Sequence, residues 1–181
     1  MNIAVYCGSS SGNKEAYTIG AVALGVWIAE NGHTLVYGGA RGGLMGTVAN
    51  SVLSNGGKVT GVIPDVESIQ KKRHQFLTEY IETKDMAERK SKMLEIADAY
   101  IALPGGPGTL DEITDVISLA RLKINDKPCI LYDISGFYQP LKNVFEQMIS
   151  SGFSYKEDFR NVLISDDLDR IGTFITKGMG K

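Results

Sequence analysis

Apolar and polar positions fall in blocks along this chain, and the blocks alternate between two periods. Short runs rich in Val, Ile, Leu and Tyr occupy residues 3–7, 34–37, 59–63, 99–103, 129–132 and 162–164. Between them, at 15–30, 44–54, 86–97, 110–122, 138–151 and 168–176, apolar residues recur every three or four positions. Continuously apolar runs predict strands buried on both faces, and the 3.6-residue pattern predicts amphipathic helices. Ala16, Ile19, Ala23, Val26 and Trp27 form the stripe of the first helix, which Asn31-Gly32 ends. Residues 65–79 lose the pattern and read as a polar loop holding the basic run Lys71-Lys72-Arg73-His74, expected to be solvated or to form a lid, with a short strand expected at 80–83. The tail Gly178-Met179-Gly180-Lys181 is expected to fray.

Strands alternating with helices from end to end, without a linker or a shift in composition, predict one α/β domain over residues 1–181. Right-handed crossovers then give a doubly wound, Rossmann-like parallel sheet with helices on both faces. In such a sheet, ligands bind beyond the carboxyl ends of the strands.

Composition narrows the function classes. With 181 residues, 43% apolar and 22% charged, the chain can build a core without staples. A net charge of −2 lacks the basic excess of a nucleic-acid binder. The longest near-apolar run, residues 19–29, is too short to span a bilayer, so no membrane partner is expected. Cys7 and Cys129 have no metal spacing and read as buried thiols of a reducing compartment. The start Met1-Asn2-Ile3-Ala4 has no charged leader region, so a cytoplasmic protein is expected.

Three glycine-rich turns fall where ligands should bind. They follow the first strand (Gly8, Ser9, Gly12), the second (Gly38, Gly39, Gly42, Gly43) and the strand ending at Leu103 (Gly105, Gly106, Gly108). Each leads into a helix start, where missing Cβ atoms and the helix dipole suit an anion. The turns contain neither G-x-x-x-x-G-K-[ST] nor G-x-G-x-x-G, and no acid follows Val36-Tyr37-Gly38 to hold a ribose hydroxyl. One phosphate therefore fits better than a nucleoside triphosphate or a dinucleotide.

Two blocks carry candidate chemistry. Asp85-Met86-Ala87-Glu88 reads as a capping box opening a helix whose stripe is Met86, Met93 and Ala97. Arg89 and Lys90 lie on or beside that stripe, either snorkelling to solvent or turned toward a ligand, where arginine's planar fork can hold oxygens. Pro104-Gly105-Gly106-Pro107-Gly108-Thr109-Leu110-Asp111-Glu112 ends in a second apparent box, Thr109 to Glu112. Glu112 could be a cap or a carboxylate facing a sugar, and the two roles can coexist. His33 looks bland.

Tyr37 to Gly46, Met86-Ala87-Glu88-Arg89-Lys90 and the Pro104–Glu112 block resemble the signatures of the LONELY GUY family. That family comprises cytokinin riboside 5′-monophosphate phosphoribohydrolases, long mislabelled as lysine decarboxylases. The resemblance runs from Cys7-Gly8-Ser9-Ser10 to about Asp167. It implies hydrolysis of a nucleoside 5′-monophosphate to free base and ribose 5-phosphate, no metal or organic cofactor, and a homodimer with sites near the subunit interface. It assigns catalysis to Arg89 and Glu112. It gives substrate contacts to Lys90, to the loop Gly106, Pro107, Gly108 and Thr109, and to Ser118; Gly8, Ser9, Gly38, Gly39, Gly43, Met86, Gly105 and Asp111 are further candidate substrate-binding residues. Two positions depart: Ala87 stands where the family usually has His, and Lys71 where many members have Glu, with Glu67 nearby. The rival expectations are a non-catalytic nucleotide or molybdenum-cofactor carrier of the same fold, and a decarboxylase, which would need a Schiff-base lysine.

Overall fold

Inside the two edge strands, the strands are buried at nearly every position, which requires cover on both sides of the sheet. In the computed structural model, which describes residues 1–178, that cover is two layers of helices. Among the described residues the strands are β1 (Asn2–Tyr6), β2 (Thr34–Tyr37), β3 (Lys58–Pro64), β4 (Glu79–Thr83), β5 (Ala99–Ala102), β6 (Cys129–Tyr132) and β7 (Val162–Ser165). The helices are α1 (Glu15–Glu30), α2 (Gly43–Ser54), α3 (Glu67–Gln70), α4 (Met86–Ile96), α5 (Pro107–Arg121), α6 (Gln139–Ser150) and α7 (Leu168–Gly178). The sheet order is β4-β3-β2-β1-β5-β6-β7, and every pairing is parallel. The doubly wound Rossmann-like class expected from the alternation is the one observed.

Side-chain alternation sends successive residues to opposite faces. Ile3 and Val5 of β1, with Leu35, Ile101 and Ile130, pack against Leu24 and Ile28 of α1, Val48 and Val52 of α2 and Ile171 and Ile175 of α7. Ala4 and Tyr6, with Val36, Val62 and Leu131, face Met93 of α4, Ile113 and Val116 of α5 and Phe145 of α6. From β1 the chain winds outward to β4, returns to β5 beside β1, and winds outward again. The crevice between β1 and β5 is thus the switch point at which such sheets open to a ligand.

Three expectations are corrected. The helix expected at 110–122 starts at Pro107, because proline suits a first helical position, where no N–H partner is needed. Gly106 is the cap residue, so the box read into Thr109 and Glu112 does not form. The loop expected at 65–79 holds the single turn α3, too short to leave a periodic signature. His74 is buried with Nε2 2.9 Å from Asn50 Oδ1, rather than solvated. Met179, Gly180 and Lys181, three of the four residues expected to fray, lie outside the described residues, and Gly178 closes α7.

The three glycine turns are stitched together through Gly8. Its N–H donates to the Pro104 carbonyl (3.1 Å), and its carbonyl accepts from the Met45 N–H (3.3 Å). Gly43 has φ +61°, and a Cβ there would collide with the Ser9 backbone. The Gly43→Ala variant should therefore lose about 1–3 kcal/mol of stability from the left-handed backbone alone. Urea unfolding checks this, with a loss under about 0.5 kcal/mol contradicting the packing described.

Candidate active site

Helix α4 carries the basic residues. Asp85 caps it, its carboxylate accepting from the Glu88 N–H (2.9 Å). Glu88 in turn accepts from the Lys84 N–H (2.8 Å), one residue before the position a reciprocal box would use. With that start fixed, Arg89 falls beneath the helix with buried Met93, which decides between the two readings of its place on the stripe in favour of the inward one. Its Nη1 donates to Glu112 Oε1 at 2.7 Å, and its Nε to the Val62 carbonyl at 3.3 Å. Arg89 is 5% exposed and Glu112 7%. Glu112 therefore serves no cap; one turn into α5, it is half of a buried ion pair.

Burial pushes the Glu112 carboxyl above the ordinary glutamate range, and Arg89 opposes that shift by charge and by hydrogen bond. Burial likewise raises the Cys7 thiol and the Tyr6 phenol, and the Glu112 charge adds to both. The groups beside the carboxylate thus stay neutral, and Arg89 is its counter-charge.

The pair opens onto a cavity of about 420 Å³ at the carboxyl ends of β1, β2 and β5. Of the residues expected in the site, Gly8, Ser9, Gly38, Met86, Arg89, Asp111, Glu112 and the run Gly106, Pro107, Gly108, Thr109 line it. Gly39, Gly43 and Gly105 shape the turns behind the lining. Lys90, expected to touch substrate, does not line the cavity. Its ammonium bridges Asp111 (3.2 Å) and Asp115 (3.3 Å) across the α4–α5 groove. Ser118 is exposed on α5, outside the lining.

Sequence reasoning missed Cys7, Ala40, Met45, Ser68, Ile69 and Lys72 as lining residues. Met45 stood in a signature block and was overlooked. Ser68, Ile69 and Lys72 share one face at helical spacing, a signal one turn cannot make distinct. The basic run is not a uniform solvated stretch. Lys71 pairs with Glu67 (2.6 Å), Arg73 pairs with Glu82 (2.9 Å) and stacks on Tyr80, and Lys72 faces the cavity.

These features define a Rossmann-like protein with a buried Arg–Glu pair beneath the glycine-capped N-terminus of α5. The family profile described as possible lysine decarboxylase matches residues 45–173. The chain is 40% identical over 169 residues to the cytokinin riboside 5′-monophosphate phosphoribohydrolase of Rhodococcoides fascians, covering 93% of this chain and 85% of that one. Over 163 residues it is 44% identical to the enzyme of that name, LOG, from Oryza sativa subsp. japonica, covering 90% and 67%. The chain therefore belongs to the LOG family, whose profile carries the lysine decarboxylase description. Among solved structures, TM1055 superposes with a TM-score of 0.73 at 25% identity, covering 97% of this chain and 98% of that one. The Moco carrier protein of Chlamydomonas reinhardtii superposes at 0.72 with 22% identity, covering 97% and 98%, which shows a shared fold.

Gly38 leaves the space that the guanidinium fills, since a Cβ there would collide with Arg89 Nη2. Gly38→Ala should displace Arg89 and lower kcat of whatever reaction the site runs by at least about 10²-fold. Circular dichroism should remain native. Full activity in this variant would show that the Arg89 position is not critical.

Proposed function

We propose that this chain hydrolyses the N-glycosidic bond of a nucleoside 5′-monophosphate, giving free base and ribose 5-phosphate. Cytokinin riboside 5′-monophosphate and AMP are the proposed substrates. The carrying observation is the buried Arg89–Glu112 pair, one helical turn below the open start of α5. Amides of Gly106, Pro107's successor Gly108 and Thr109 point from a helix N-terminus, where a phosphate is favoured. A phosphate held there sets the sugar above Glu112. As the glycosidic bond breaks, positive charge grows on the ribose, and the Glu112 carboxylate stabilises it and orients the attacking water. Arg89 holds the carboxylate in place, and Lys90 fixes Asp111 at the rim.

The homodimer and the cytoplasmic location are part of the same proposal. Leu110 on α5 and Leu122 just after its end are exposed, with Thr114 and Ser118 at four-residue steps between them and exposed Ile124 beyond. A second copy covering this stripe would let Ser118 approach a neighbouring site, which it does not do within its own chain. Two buried free thiols suit a reducing compartment. Among the described residues, no helix is long and apolar enough to cross a membrane.

Incubation with AMP, followed by chromatography for free adenine, separates hydrolysis from carriage without turnover. Adenosine, lacking the phosphate anchor, should show kcat/KM at least about 10²-fold lower. Equal turnover of the two contradicts the scheme. Glu112→Gln should cut kcat by about 10²–10⁴-fold.

The pH dependence follows from the raised carboxyl. The reactive form is the carboxylate, so activity falls as pH drops through a value above the ordinary glutamate figure of about 4.3. A pH–rate profile with its acid limb below that figure would contradict the assignment.

A further inference from the structure

Breaking the bond between a purine and its sugar leaves the electron pair on the base. Glu112 and Arg89 act at the sugar, so the departing purine needs a hydrogen donor of its own. Its N7 is an acceptor on an open edge. Few side-chain donors line the cavity. Arg89 spends Nε on the Val62 carbonyl and Nη1 on Glu112, and a guanidinium does not release a proton, while Ser9 and Thr109 stand in the turns proposed to hold phosphate. Ser68 and Lys72 remain, one turn apart on the segment carrying α3.

Lys72 differs from its neighbours in charge balance. Lys71 and Arg73 each have a carboxylate partner, whereas Lys72 has none among the described residues. Its backbone is held firmly: the Lys72 N–H donates to the Ile69 carbonyl (2.9 Å), and the Lys72 carbonyl accepts from the Arg41 N–H (2.9 Å). Two residues on, the His74 N–H donates to the Gly39 carbonyl (2.8 Å), and Ala40 and Arg73 form an antiparallel bridge. These contacts pin residue 72 to the second glycine turn. Apolar Ala40, Met45, Ile69 and Met86 share the lining and suit the flat faces of a base.

Building on the hydrolase reading above, we propose that Lys72 is the leaving-group donor, its ammonium bonding purine N7 while the phosphate sits at α5. The C1′–N9 electron pair passes to the base, and the water oxygen bonds C1′. The water's proton goes to Glu112, and N7 takes a proton from Lys72. Solvent then reprotonates the lysine and deprotonates Glu112, so the sum is nucleotide plus water to ribose 5-phosphate plus purine.

The test compares AMP with 7-methylguanosine 5′-monophosphate, whose base already carries positive charge and leaves without a proton. Lys72→Met should lower kcat on AMP by about 10²–10⁴-fold and change kcat on the methylated nucleotide by less than about threefold. Lys72→Arg should retain part of the AMP rate. Where the methyl group bars that nucleotide from the wild type, p-nitrophenyl ribofuranoside 5-phosphate, whose leaving group also needs no proton, takes its place. An equal fall on both substrates, a change confined to KM, or an unchanged AMP rate overturns the proposal. If the wild type releases no base from any of them, the hydrolase reading fails and this proposal with it. If the wild type turns over AMP and only the Lys72 pattern is absent, the hydrolase reading stands.

Discussion

The buried ion pair between Arg89 and Glu112 is the constraint around which the site is built. Removing two charges from water is unfavourable unless geometry and hydrogen bonding compensate. Here compensation comes from three elements at once. Helix α4 delivers the guanidinium, β3 supplies the Val62 carbonyl, and α5 supplies the carboxylate. Removing one partner would leave the other buried alone, a loss of about 3–5 kcal/mol in comparable pairs. The pair thus holds the two helices in register across the sheet while placing a carboxylate above its ordinary range on the cavity floor.

The rest of the architecture delivers that pair to a ligand. The switch in winding direction separates the loops after β1 and β5 and opens the crevice between them. Gly8 ties all three turns together by backbone hydrogen bonds, so the turns are joined to one another around the cavity that the ion pair opens onto. The third turn is further fixed by Tyr138, whose hydroxyl donates to the Leu103 carbonyl at 2.7 Å. In the proposed reaction, preorganisation of this kind lets binding energy from a remote phosphate position the sugar.

Much of this was legible in the sequence, and the exceptions have physical reasons. Buried parallel strands announce themselves as continuous apolar runs, which is why six of the seven matched closely and even β4 on the edge was placed. The place of Arg89 on the Met86–Met93 stripe allowed either an inward or a snorkelling side chain, and the Glu112 carboxylate that draws it inward is visible only in the fold. Glu112 was ambiguous because Thr109-Leu110-Asp111-Glu112 imitates a helix start, and Pro107, two residues before Thr109, had already set the true one. Where Lys90 and Lys72 point was not legible, for a different reason. Which cation faces a cavity depends on the carboxylates that compete for it, and Asp111, Asp115, Glu67 and Glu82 reach their partners only after folding.

The most direct test of the central claim is a crystal structure of the Glu112→Gln variant soaked with AMP, which binds without turnover. The account predicts the phosphate on the amides at the start of α5 and C1′ beside the side chain of residue 112. A nucleotide bound elsewhere, or one whose sugar points away from that side chain, would contradict it.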